Sequence, residues 1–232
     1  MRRRLRKKTR DERTQTAAQR GDSAVSQPLA WSELTTAMAM CISVTTYQRM
    51  KRMGCPPLFF EVLMCLQACG AVADQGLVMF EMFCGVAAIS RAFADSGLPA
   101  MGYDYLKDPL MNDILAPAGF LHAVTMVLAL DPTAGFLWLA TVCSSWVWMS
   151  HGSTGRCVAF PLGMPCASVN DANTMVARCS LLILLCIAKG CIWALEQPPS
   201  SLMALHPAMQ WLRSLAGTMP NAVVVPWFLL VA

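Results

Sequence analysis

The sequence predicts an α/β fold: a Rossmann-like, mostly parallel sheet with helices on both faces, preceded by a helical extension. Three observations predict it. Short apolar runs alternate with helical runs from Leu77 onward, and such alternation gives a parallel sheet covered on both sides. The segment Phe80 to Ser90 reads as a strand, a glycine turn and a helix start. Finally, 56% of the 232 residues are hydrophobic, yet every long apolar stretch is broken. Lys189-Gly190 ends the run 181–188, Asp131-Pro132 ends 120–130, and Pro220 and Pro226 interrupt the C-terminal residues. A bilayer-spanning helix needs about 20 consecutive apolar residues. Strands buried on both faces account for the hydrophobicity better, and membrane insertion is not expected.

Residues 1–29 read as a disordered basic tail, 30–75 as a helical extension and 76–232 as the α/β domain. In the extension, Ser32 is placed to cap a helix that runs to about Met53, where Gly54-Cys55-Pro56-Pro57 stops it. A second helix covers 58–73 and ends near Asp74-Gln75-Gly76. The domain opens with a strand at 77–83, apolar except for Glu81, followed by a helix at 86–96 that Gly97 closes. A short strand at 100–103, a helix at 120–130 and a strand at 135–142 follow. Asn170 or Asp171 then caps a long helix to Lys189, with Gly190 just past its end. A strand at 191–195, a helix at 207–215 and a last strand at 222–231 complete the pattern.

Charge is unevenly placed. Residues 1–20 hold nine Lys/Arg against Asp11 and Glu12, while the remainder carries nine basic against twelve acidic residues. The run Arg2-Arg3-Arg4-Leu5-Arg6-Lys7-Lys8 fits a nuclear-import signal, a nucleic-acid-binding arm or a plain solvated tail. The expected location is intracellular, and nuclear if the run is an import signal. None of the eleven cysteines forms a CxxC pair, so no metal is expected. Cys65 and Cys69 share a helix face, Cys186 and Cys191 straddle a helix end, and most thiols read as small buried hydrophobes.

Ligands of a parallel sheet bind beyond the carboxyl ends of its strands. The residues found there are Gly85, then Asp104, then Cys143-Ser144-Ser145, then Glu196-Gln197. Gly85 allows a tight turn that presents free N–H groups at a helix start. The plainer alternative for each acid is a cap or turn residue, and for Cys143 a buried thiol with nothing basic beside it. In the loop 150–156, His151 and Arg156 are candidates for touching substrate or phosphate, against the simpler reading of a mobile surface loop. Trp138, Trp146, Trp148 and Trp193 read as core, with base stacking as the alternative for Trp146 and Trp148.

In this order the landmarks resemble the S-adenosylmethionine-dependent cytosine-5 DNA methyltransferases. Phe83-Cys84-Gly85-Val86-Ala87-Ala88 is similar to their F-x-G-x-G-G cofactor loop, and Asp104 stands where their ribose-binding acid does. Asn112-Asp113-Ile114 resembles the G-D-I segment, Val142-Cys143-Ser144 the P-C-Q nucleophile loop and Glu196-Gln197-Pro198 the E-N-V segment. The resemblance implies S-adenosylmethionine as cofactor, held by Phe83, Gly85, Asp104 and Asp113. It further implies Cys143 as the thiolate that adds to C6 of a flipped cytosine and Glu196 as the carboxyl group that holds the ring.

Ala87 and Ala88 stand in place of two glycines, Val142 in place of the proline, and Ser144 in place of the glutamine. There is no Q-x-R-x-R segment and no clear target-recognition region. Two functions are therefore expected. One is a methyltransferase-like protein acting on cytosine C5 in DNA; the other is a catalytically inactive binding or scaffold protein of the same fold with a basic tail.

Overall fold

The computed structural model describes residues 31–40, 42–70 and 76–216; the basic tail and the expected strand at 222–231 lie outside them. Met79–Met82 (β1), Ala100–Tyr103 (β2), Phe136–Leu139 (β3) and Ile192–Leu195 (β4) form one all-parallel sheet in the order β2-β1-β3-β4. Met79 pairs with Ala100 on one side and Phe136 on the other, and Phe136 pairs with Ile192. The strands fall where the apolar runs predicted them, but each is four residues long. Leu77 contributes only an isolated parallel bridge to Leu130.

Among the described residues three helices precede the sheet: Trp31–Met38 (α1), Val44–Arg52 (α2) and Pro57–Ala68 (α3). The crossovers carry Ala88–Asp95 (α4), Pro117–Ala129 (α5), a single turn at His151–Thr154 (α6) and the long Ala167–Lys189 (α7); Pro207–Ala216 (α8) follows β4. The expected single helix from Ser32 to Met53 is thus two. Ser32 lies within α1, and the cap belongs to Ser43, whose hydroxyl accepts from the Thr46 N–H at 3.0 Å. α2 rests on α7, where Arg49 donates to the Ala188 carbonyl at 3.2 Å. Met50, Phe59 and Leu63 belong to the same buried cluster as Phe80, Leu137 and Leu182, so the extension covers the core.

The two sheet faces are held differently. Phe80, Met82, Leu137 and Leu139 face the main core beneath α5 and α7, and full burial of such side chains contributes about 1.5–3 kcal/mol each. Tyr103 stands edge-on to Phe80 at 6.0 Å, and its hydroxyl donates to the Gly119 carbonyl of α5. On the opposite face α4 buries only Ser90. Its docking relies on Glu81 of β1, whose buried carboxylate accepts the Ser90 N–H at 2.7 Å. A charge-assisted bond of this kind contributes about 1.5–3 kcal/mol.

α7 begins at Ala167 with Cys166 as its cap residue, which makes no side-chain capping bond; Asn170 and Asp171 lie inside the helix instead of capping it. Gly190 ends it at φ +91°, a conformation that favours glycine. By length and composition α7 is apolar enough to cross a membrane, and half of its apolar window is buried inside this fold. It packs against α2, α5, α8 and β4 as the central helix.

His206 caps α8 from the buried side. Its Nδ1 accepts the Ala208 N–H at 3.2 Å and its ring stands edge-on to Trp146 at 5.8 Å. Burial, aided by the Arg156 charge, pushes the imidazole down to about 4. Between about pH 6.5 and 4 the unfolded chain therefore takes a proton that the folded chain refuses, so stability falls as pH falls through that window. Urea titrations at pH 7 and pH 4.5 test this. His206→Asn, which keeps a capping acceptor, should lose about 2 kcal/mol less than the native chain between the two.

Candidate functional site

All four strands point the same way, so their carboxyl ends share one edge. Order reverses between β1 and β3, since β2 flanks β1 on one side and β3 on the other. A crevice for ligands opens at such a switch point.

The turn after β1 has an unusual backbone. Phe83, Gly85 and Ala87 all take positive φ, at 60°, 48° and 58°. For Phe83 and Ala87, which carry side chains, this costs of order 1 kcal/mol each. Within the turn the Phe83 and Cys84 N–H groups both donate to the Tyr103 carbonyl, at 2.7 and 3.2 Å, and the Ala87 N–H donates to the Cys84 carbonyl at 2.6 Å. Ala87 then starts α4 without a side-chain cap. Among the described residues, the N–H groups of Val86, Ala88 and Ile89 have no acceptor.

Asp104, one residue past β2, closes this turn. Its Oδ2 accepts the Gly85 N–H at 2.8 Å and its Oδ1 the Leu106 N–H at 2.9 Å. Each carboxylate oxygen accepts more than one bond, so capacity for a hydroxyl donor remains. Asn112 is buried behind it. Its Nδ2 donates to the Asp104 carbonyl at 3.3 Å, and its Oδ1 lies 3.2 Å from His122 Nδ1. That nitrogen also faces the Met111 carbonyl at 3.0 Å, so with two acceptors before it Nδ1 carries the proton. Asp113 accepts the Leu115 N–H at 2.9 Å through Oδ1. Arg178 of α7 braces this loop by donating to the Ile114 and Ala116 carbonyls at 2.7 and 3.2 Å. Gly119 fits against it because an added Cβ would stand 2.0 Å from the Asp113 carbonyl oxygen.

Beyond β3 and β4 the arrangement is looser at the residues named for chemistry. Cys143 is half-buried, its carbonyl accepts the Trp146 N–H at 2.8 Å, and its thiol makes no hydrogen bond among the described residues. The Glu196 N–H donates to the Leu139 carbonyl at 2.8 Å, while its exposed carboxylate has no partner among the described residues. It caps no helix; that role falls to Ser201, whose hydroxyl accepts the Met203 N–H. The tie between these two strand ends is Gln197, which donates to the Thr141 carbonyl at 2.6 Å and accepts from the Ser201 hydroxyl at 2.9 Å. Thr141 is buried and its hydroxyl has no partner among the described residues.

The segment after Cys143 is anchored, contrary to the expected mobile loop. Arg156 is 1% exposed and lies 3.5 Å from the centroid of the fully buried Trp146 ring. It donates to Ser145 Oγ at 3.1 Å, the Pro161 carbonyl at 2.6 Å, Asn173 Oδ1 at 2.9 Å and the Val169 carbonyl at 3.3 Å. Neutral acceptors and an aromatic face thus replace a carboxylate partner. Neither Arg156 nor Trp146 is free to touch a ligand. Trp148, by contrast, is 72% exposed and packs its ring 4.5 Å from His151. Val86, Tyr105, Leu106, Leu110 and Met149 are likewise exposed apolar residues on the loops beyond β1, β2 and β3.

The sequence reading missed Glu81, Thr141 and Arg178 and misjudged Arg156. Glu81 did carry a signal, as the one charge inside an apolar strand. Among the described residues no three His, Cys, Asp or Glu side chains converge as a metal site. Compared with known proteins, the chain matches no family model, no curated protein and no solved structure.

Arg156→Lys keeps the charge and removes the planar fork that reaches four acceptors and stacks on Trp146. It should destabilise the chain by about 2–4 kcal/mol in urea unfolding. A change below about 0.5 kcal/mol, the scale of surface substitutions, would show that these bonds do not hold the segment.

Proposed function

We propose that this chain is a methyltransferase-like protein that binds S-adenosylmethionine at the β1–β2 end of the carboxyl-edge crevice. The observation that carries the reading is the bond between the Gly85 N–H and the Asp104 carboxylate. It joins the two loops that the resemblance assigns to the cofactor, and it stands beside three N–H groups without acceptors among the described residues. Phe83 and Gly85 shape the turn, Asp104 offers acceptors to ribose hydroxyls, and Asp113 keeps one oxygen free for an amino group. When bound, the cofactor supplies an electrophilic methyl group.

Transfer to cytosine C5 is the narrower form of the proposal, with Cys143 and Glu196 as nucleophile and ring-holding acid. The alternative is a binding or scaffold protein without catalysis, and two observations favour it. The Cys143 thiol has no hydrogen-bonding base, and the Glu196 carboxylate is exposed and unpartnered among the described residues. Duplex binding normally uses several phosphate contacts from Lys or Arg. In the loops 83–87, 104–116, 140–150 and 196–201 the only Lys or Arg is Lys107, so an acceptor nucleic acid would rely on the basic tail.

Calorimetric titration of the full chain with S-adenosylmethionine tests the reading. Asp104→Ala should weaken binding about tenfold or more, the scale of one lost charge-assisted bond. Asp104→Asn keeps an acceptor for Gly85 and should fall between the two. Unchanged affinity in folded variants overturns the assigned pocket. Methyl transfer to DNA that Cys143→Ser abolishes would eliminate the scaffold alternative.

A further inference from the structure

At the opposite, amino-terminal edge of the sheet, α7 hands the chain to β4 through a glycine turn, and two cysteines meet there. The Cys191 N–H donates to the Cys186 carbonyl at 3.0 Å across Gly190. This bond from the second residue past the helix back to its last turn is the Schellman arrangement, which brings the side chains of those two residues together. The companion bond of that motif is present too, from the Gly190 N–H to the Ile187 carbonyl at 3.0 Å. Cys186 Sγ also points at the Ile192 carbonyl at 3.4 Å, and Cys191 Sγ at the Asp131 carbonyl at 3.3 Å. Cys186 is fully buried, whereas Cys191 is 8% exposed between the exposed Gly190 and Ile192.

We infer that Cys186 and Cys191 form a thiol–disulfide exchange site that passes two electrons to a low-molecular-weight disulfide by closing a bond between α7 and β4. Cys191 is the attacking sulfur because it is the less buried of the two residues. The contact with Cys186, with the Lys189 charge nearby, holds its thiol below the usual range, while burial raises that of Cys186 well above it. Lys189 is fixed there by its bond to the Leu128 carbonyl. The Cys191 thiolate, having given up its proton, attacks one sulfur of the small disulfide. That S–S bond breaks, a mixed disulfide forms, and the leaving thiolate takes the proton. Cys186 then loses its proton and attacks Cys191 Sγ, expelling the second small thiol. The protein dithiol is oxidised by two electrons and the small disulfide is reduced to two thiols.

The sequence provides a direct readout, since Lys189 is a tryptic site between the two cysteines. The full native chain is incubated with glutathione disulfide, alkylated and digested without reduction. The expected product is a linked pair of peptides, 179–189 and 190–213, which dithiothreitol separates. Cys179 also lies in the first peptide, so Cys179→Ser should keep the link and Cys186→Ser or Cys186→Ala should stop at a glutathione adduct on Cys191. Glutathione left on Cys191 of the native chain with no linked pair overturns the inference. So does a link that survives loss of Cys186, or reaction only after denaturation.

Discussion

A carboxylate buried in the central strand is the interaction on which the upper half of this molecule depends. Glu81 is 4% exposed and accepts the Ser90 N–H at the start of α4. Water would solvate that carboxylate far better than an apolar sheet, so burial is sustained only because the helix terminus offers a donor and a favourable dipole. The bond in turn fixes where α4 begins, and the chain must leave β1 through three left-handed residues to reach it. Gly102, opposite Glu81 in β2, leaves room for this: an added Cβ would stand 3.0 Å from Cys84 Sγ and 3.2 Å from both Ser90 Oγ and Lys107 Nζ. The turn, the orphan N–H groups and the seat for Asp104 all follow from one packed acid.

The carboxyl edge divides into two halves with different degrees of organisation. Around β1 and β2, each acid holds a backbone N–H, and Asn112, His122 and Arg178 brace the loop behind them. Around β3 and β4, the organised groups are Gln197, Ser145 and Arg156, which hold chain to chain, whereas Cys143 and Glu196 present unengaged side chains among the described residues.

Much of the architecture was legible because buried parallel strands leave continuous apolar runs, and Gly85, Gly97 and Gly190 punctuate them. The end of α7 at Gly190 and the strand at Ala100–Tyr103 follow directly from those signals. The start of α7 did not, because Asn170 and Asp171 carry good capping side chains yet α7 starts earlier, at Ala167. Arg156 was misread for a related reason. A short, Gly- and Ser-containing stretch looks like a surface loop until a distant tryptophan and the first turns of α7 close around its one cation. Long-range partners leave no periodicity in the sequence, and neither Thr141 nor Gln197 could be paired from it.

Amide hydrogen exchange of the full chain, with and without S-adenosylmethionine, most directly tests whether the left-handed turn and the loop beyond β2 form a ligand site. Residues 83–90 should exchange more slowly with the cofactor present, because the Val86, Ala88 and Ile89 N–H groups would gain acceptors, and 104–113 because bonds from the cofactor to Asp104 and Asp113 would hold the loop closed. Exchange that is unchanged in both segments, or slowed only on the far side of the sheet, would contradict a cofactor pocket at this edge.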